Sequence, residues 1–232
     1  MIRAVIFDFN GVLVDDEHLH FELFREVLAP EGIDLTEGRY HEKYLGFDDR
    51  GCFEAVLTDF HKSADLATVE MLLAQKAARY TDRASHELVI FPGAVDCLAS
   101  LAERWPVAIC SGALRQEIAF ALRLMERGEQ IAAIVAAEDT ERCKPDPEGY
   151  LLALDALRST VGEDLEAAHC LVVEDSLAGI EAAKTAGMWV VAVSNTYGEA
   201  ELRASGADAV IGSLNELNPE WVSGFFIPEI SP

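Results

Sequence analysis

The chain has 232 residues, half of them hydrophobic, and a formal charge of −23 at pH 7. That length and apolar content suffice for a full core, as one large domain or as a core with an inserted one. The acidic balance argues against nucleic acid or an anionic membrane surface as a partner. The longest apolar runs, such as Ile131 to Ala137, are far too short to cross a bilayer. Met1 leads directly into a strand-like run, which leaves no room for a signal peptide and points to the cytoplasm. Five cysteines (Cys52, Cys97, Cys110, Cys143, Cys170) show neither close pairing nor metal-type spacing, and are expected to be reduced and buried.

In chain order, the first strand-like run covers 2–7. Between Asp15 and about Leu88 no strand pattern competes; amphipathic helical segments run from His20 to Leu28, Arg50 to Phe60 and Thr68 to Tyr80. Five further apolar runs follow, at 106–110, 131–136, 169–173, 189–193 and 208–211. Helical periodicity fills spaces among them, at Asp96 to Ala102, Gly149 to Leu154 and Ala178 to Ala186. Short buried strands alternating with helices predict an α/β fold, a Rossmann-like open parallel sheet with an inserted all-helical domain. The expected boundaries are 1–14 with 89–232 for the core and 15–88 for the insertion. The stretch from Asn215 to Pro232, with Trp221, Phe225 and Phe226 among prolines, reads as a tail that packs back on the core.

In an open parallel sheet, ligands sit at the carboxyl ends of the strands. Here those ends carry Asp8, then Ser111 and Gly112, and then Glu174 and Asp175, while Lys144 follows the 131–136 run after a short acidic loop. The set matches the needs of phosphoryl transfer. A carboxylate can attack phosphorus and form an acyl phosphate. An acidic pair supplies oxygen ligands for a hard cation such as Mg²⁺. A hydroxyl, backbone N–H groups and a lysine can hold the phosphoryl oxygens as charge redistributes.

The segment Asp8-Phe9-Asn10-Gly11-Val12-Leu13-Val14-Asp15 resembles the first motif of the haloacid dehalogenase-like (HAD) superfamily, Asp-x-Asp-Gly-x-x-x-Asp, with Asn10 at the second aspartate. Ser111 fits the second motif, Lys144 in Cys-Lys-Pro-Asp-Pro the third, and Glu174-Asp175-Ser176-Leu177-Ala178-Gly179 the fourth, so the resemblance covers nearly the whole chain. The insertion resembles the helical cap of the subgroup with β-phosphoglucomutase and phosphoglycolate phosphatase. The resemblance implies Mg²⁺ bound by the Asp8 carboxylate, the Asn10 backbone carbonyl and Asp175, with Glu174 as ligand or support. It also implies that Asp8 is the nucleophile, that Ser111, Gly112 and Lys144 hold the phosphate, and that the cap excludes water and selects the substrate. The expected partner is a small phosphorylated metabolite, a sugar phosphate first, handled by a monomer or weak homodimer.

Asn10 keeps the backbone carbonyl but cannot do the acid–base work of the usual aspartate, typically worth ~10²–10⁴-fold in rate. Three readings stay open. The chain is a phosphatase or phosphotransferase that is slow or draws on Asp15, Asp16, Glu17 or His20; it carries an introduced substitution; or it binds a phosphorylated ligand without turning it over. The loss of that acid–base work predicts that phosphorylated Asp8 accumulates. His20 falls where the subgroup often has a histidine, and equally suits a helix surface. Arg50 is the candidate for a second anionic group, as a mutase would need, or is simply solvated. Lys76 and Tyr80 read as a surface pair, Arg115 as a weak phosphate candidate, and Cys110 and Cys143 as small core fillers.

Overall fold

A computed structural model describes residues 1–225. In chain order the elements are β1 (Ala4–Phe7), β2 (Val14–Asp15), α1 (Glu17–Leu28), α2 (Glu37–Lys43), α3 (Asp49–Asp59), α4 (Leu66–Glu87), β3 (Val89–Ile90), α5 (Ala94–Ala102), β4 (Val107–Cys110) and α6 (Arg115–Leu124). They continue as β5 (Ile131–Val135), α7 (Glu148–Val161), β6 (Cys170–Glu174), α8 (Leu177–Thr185), β7 (Trp189–Val193), α9 (Glu199–Ala204), β8 (Ala209–Ile211) and α10 (Pro219–Phe225). The chain divides into two compact units, Met1–Val14 with the chain from Ile90 on, and Asp15–Val89.

The first unit holds a six-stranded sheet in the order β5-β4-β1-β6-β7-β8, every pairing parallel. β1, β4 and β6 are buried along their whole length, which is why their sequences are unbroken apolar runs rather than alternating ones. The chain builds outward from β1 through β4 and β5, then returns to the other side of β1 for β6, β7 and β8. β1 therefore lies at the point where the winding reverses, and ligands gather beyond the strand ends there. The register sets Phe7 beside Ile109 and Val173, so the residues that leave all three strands emerge on one rim. Trp221 and Phe225, on the tail, stack with ring centroids 5.0 Å apart; Phe226 lies outside the described residues.

The second unit is helical. Asp48 and Asp65 cap α3 and α4 by accepting from the Gly51 and Thr68 N–H groups. Its core includes Phe24, Phe53, Leu57 and Leu72, with the Phe24 and Phe53 rings edge to face at 4.9 Å. α2 was not visible as a periodic segment, because only Tyr40 of its seven residues is buried. Among the described residues no helix is long and apolar enough to cross a membrane.

Candidate active site

Asp8 follows β1 directly, and its N–H donates to the Val173 carbonyl of β6. The chain then turns: Gly11 has φ +73°, its N–H donates to the Val14 carbonyl, and Asn10 bridges Val14. A side chain at Gly11 would collide with the Asp175 carboxylate, and one at Gly179 with that of Glu174. The two motif glycines thus make room for the two acids, one by turning the chain and one by lying flat in α8.

Lys144 is the centre of the ion pairs. Its Nζ donates to Asp8 Oδ1 and Glu174 Oε1, both at 2.7 Å, and to the Cys110 carbonyl at 3.3 Å. Although burial opposes its charge, the Asp8 and Glu174 carboxylates hold the lysine pKa well above its usual range. Glu174 is anchored from both sides. Oε1 also accepts from the Tyr150 hydroxyl, and Oε2 accepts from the Asp175 N–H, the Ser176 N–H and the Ser176 hydroxyl, each at 2.9 Å. Ser176 also caps α8 through the Gly179 N–H. Ser111 Oγ accepts from the Ala113 N–H at 3.1 Å and donates to Asn10 Oδ1 at 3.2 Å.

Negative charge exceeds positive here. Asp8, Glu174 and Asp175 each offer a ligand oxygen, all within 4.8 Å of one another, and all three residues are buried. Burial raises the Asp8 pKa, Lys144 pulls it back and Glu174 pushes it up again, leaving it at about 6. Burial, with Glu174 and Asp8 adding repulsion, holds Asp175 well above the carboxylate range. Glu174 lies below that range despite burial, because Lys144 and its hydrogen bonds favour the carboxylate. One ammonium does not neutralise three carboxylates, and an all-oxygen set of this size fits a hard divalent cation.

Sequence reasoning missed three residues that hold this set. Thr196 donates its hydroxyl to Asp175 Oδ2, and Asn195 Nδ2 donates to the Gly11 carbonyl at 2.7 Å. Both lie just beyond β7, at a strand end of the kind that had been read for the other strands but not there. Tyr150 was read only as part of the α7 periodicity, yet its hydroxyl reaches Glu174. Cys110 is a buried thiol whose pKa burial pushes up to about 12, and so is inert.

The Arg50 side chain is 42% exposed and pairs with Glu70 at 2.5 Å. Arg115 is tied to Asp139, and its backbone N–H donates to Glu138. Cys143 is exposed rather than a core filler. Lys76 and Tyr80 are not a surface pair, for both are fully buried in the helical unit. Lys76 Nζ donates to both oxygens of Asp49 at 2.7 Å, meets His20 Nδ1 at 2.6 Å and lies 4.7 Å from the centre of the Phe24 ring. His20, also buried, places Nε2 3.2 Å from Asp16 Oδ2, which in turn accepts from the Tyr80 hydroxyl at 2.6 Å.

A family model for haloacid dehalogenase-like hydrolases matches residues 2–187. Validoxylamine A 7'-phosphate phosphatase of Streptomyces hygroscopicus subsp. limoneus is 30% identical over 94% of this chain and 96% of its own. The phosphorylated carbohydrates phosphatase of Thermotoga maritima is also 30% identical, over 94% of this chain and 97% of its own. Among solved structures, a mutant of CbbY from Rhodobacter sphaeroides in complex with xylulose-(1,5)-bisphosphate has 27% identity and a TM-score of 0.79, covering 94% of this chain and 96% of that one.

Proposed function

The chain belongs to the haloacid dehalogenase-like hydrolases, and from that premise we propose that it is a magnesium-dependent phosphatase of a small phosphorylated carbohydrate. The reaction runs through a phosphoryl group carried on Asp8. The observation that carries this reading is the single lysine set between Asp8 and Glu174, with Asp175 completing a buried group of ligand oxygens.

Asp8 attacks phosphorus; its carboxylate oxygen forms the new P–O bond as the ester P–O bond breaks. Lys144, the Ser111 hydroxyl and the Gly112 N–H hold the phosphoryl oxygens. Asp8, Asp175 and the Asn10 backbone carbonyl would hold the metal. Glu174 suits a supporting role better than a direct one, because five donors already fill its two oxygens. Bound magnesium would draw the negative nucleophile and the negative phosphoryl group together. The relative named for phosphorylated carbohydrates supports the substrate class. A mutase would need a cation for a second phosphate, and in the helical unit Arg50 is paired with Glu70 and Lys76 with Asp49, which favours hydrolysis.

The test is phosphate release from a panel of sugar and alkyl phosphates. Saturable release that stops with EDTA is expected, and Asp8→Asn should lower it by about 10⁴-fold or more. Release that survives Asp8→Asn, or none from any ester, would sink the reading.

A further inference from the structure

We propose that Thr196 is a positioning residue that sets the choice of metal: its hydroxyl holds one oxygen of Asp175, leaves the other for the cation, and so favours Mg²⁺ over Ca²⁺. The proposal rests on the metal-dependent reading above and names the residue that tunes it.

Each of the three acids is already held on at least one oxygen. Asp8 Oδ1 accepts from Lys144, and both oxygens of Glu174 accept from several donors. Asp175 is different. It is buried, and among the described residues Thr196 alone hydrogen-bonds its carboxylate, through Oδ2. A turn threonine ordinarily bonds water or the backbone beside it. Thr196 is an exposed residue just past β7, yet its hydroxyl reaches a buried carboxylate 21 positions earlier in the chain.

The other wall of that oxygen is Gly11, where a Cβ would collide with the same Oδ2. Asn195, next to Thr196, donates from Nδ2 to the Gly11 carbonyl at 2.7 Å. The Gly11 N–H in turn donates to the Val14 carbonyl at 2.9 Å, which fixes the planar peptide unit that it shares with the Asn10 carbonyl. Two successive residues thus hold the acid and the turn beside it. With Oδ2 committed to a hydroxyl and hemmed in by backbone, Asp175 is set to give a cation one oxygen. Ca²⁺ takes roughly six to eight oxygens and readily uses both oxygens of one carboxylate. Mg²⁺ takes about six in a tighter shell, keeps several waters, and is held through one or two carboxylates. A carboxylate restricted to one oxygen therefore suits Mg²⁺ and withholds from Ca²⁺ the ligand it would use best.

The experiment titrates Mg²⁺ and Ca²⁺ separately into the metal-free full chain and follows binding by calorimetry. Thr196→Val keeps the shape and removes the hydroxyl. It should weaken Mg²⁺ by about 10–100-fold, as loss of a group that orients a ligand commonly does, while Ca²⁺ binding holds or rises. Thr196→Ser, which keeps the hydroxyl, should keep the ion preference of the unaltered chain. Asn195→Ala should weaken both ions together, because it loosens the turn without freeing Oδ2. An unchanged ratio of the two affinities in Thr196→Val would overturn the proposal, as would an equal loss in Thr196→Ser or a shifted ratio in Asn195→Ala. Binding of neither ion by the unaltered chain would overturn it together with the metal reading. If Thr196→Val does not fold, Thr196→Ala carries the same comparison. A chain that shows the ion preference and its loss, but releases phosphate from no ester, leaves this proposal standing and overturns the phosphatase reading instead.

Discussion

Each unit buries a lysine against carboxylates, and the two arrangements differ in charge balance. Lys144 lies between Asp8 and Glu174 with Asp175 beside them, one cation to three acids. Lys76 is matched by Asp49, while His20 with its raised pKa answers Asp16. The consequence appears in the carboxyl groups. Asp8 is pushed up to about 6 and Asp175 higher still, mainly by burial with repulsion from the neighbouring acids added. Asp49 is partly buried, which works against its charge, but Lys76 and His20 hold its pKa far below the usual carboxylate range. An unbalanced cluster has ligand oxygens to offer a cation from outside; a balanced one completes itself and can keep its side chains oriented.

The sharpest way to break this comparison is to remove each lysine. In metal-free protein, Lys144→Met leaves two buried carboxylates facing each other and should cost about 3–5 kcal/mol in urea unfolding. Lys76→Met should cost less, about 1–3 kcal/mol, because the Asp49 side chain is 14% exposed and can reach water. Added Mg²⁺ should recover part of the first loss and none of the second. Recovery of both, or of neither, would mean that the balance of charge does not distinguish the clusters.

A smaller effect sharpens the same point through pH. The Asp8 pKa lies above that of an unfolded aspartate, so between about pH 4 and 6 the folded chain holds a proton that the unfolded chain has lost. This group therefore lowers the stability of metal-free protein as pH rises through that window. Below it, protons compete with the metal for the same oxygens. The stabilisation by Mg²⁺, followed as a rise in Tm, should be full above pH 6, up to about 3 kcal/mol at saturating metal, and should fade towards pH 4. A gain that is flat across the window would place the metal away from Asp8.

The sequence made the core site legible because its residues follow apolar runs, and a buried parallel strand has few ways to end. The same rule reached Asp8, Ser111, Glu174 and Asp175, and it would have reached Asn195 and Thr196 had the end of β7 been read. The helical cluster was harder, since a lysine on a helix usually points to water. Yet Lys76 lies on the stripe Val69, Leu72, Tyr80 and Ala84 at spacings of three and four, all of them buried. A charge on an apolar stripe needs a partner, and its partner Asp49 is 27 residues away on another helix. That pairing depends on how α3 and α4 pack, which local periodicity does not encode. Arg50, read from the sequence as either a cation for a second anion or a solvated side chain, has a carboxylate on α4 within reach, which the motif spacing does not encode.

Arg50 gives the smallest expected effect. Its side chain and that of Glu70 are 42% and 54% exposed, and an exposed pair of this kind is worth about 0–1 kcal/mol. Arg50→Ala should shift Tm barely, and KM for a sugar monophosphate should not change. The measurement matters because a second phosphate on the substrate would need a cation that is not already matched. If KM for a bisphosphate rises about tenfold in Arg50→Ala while that for the monophosphate stays fixed, about 1.4 kcal/mol of binding has been lost. The arginine would then have left Glu70 to meet the second anion, and charge balance in the unliganded chain would no longer predict which cations serve the substrate.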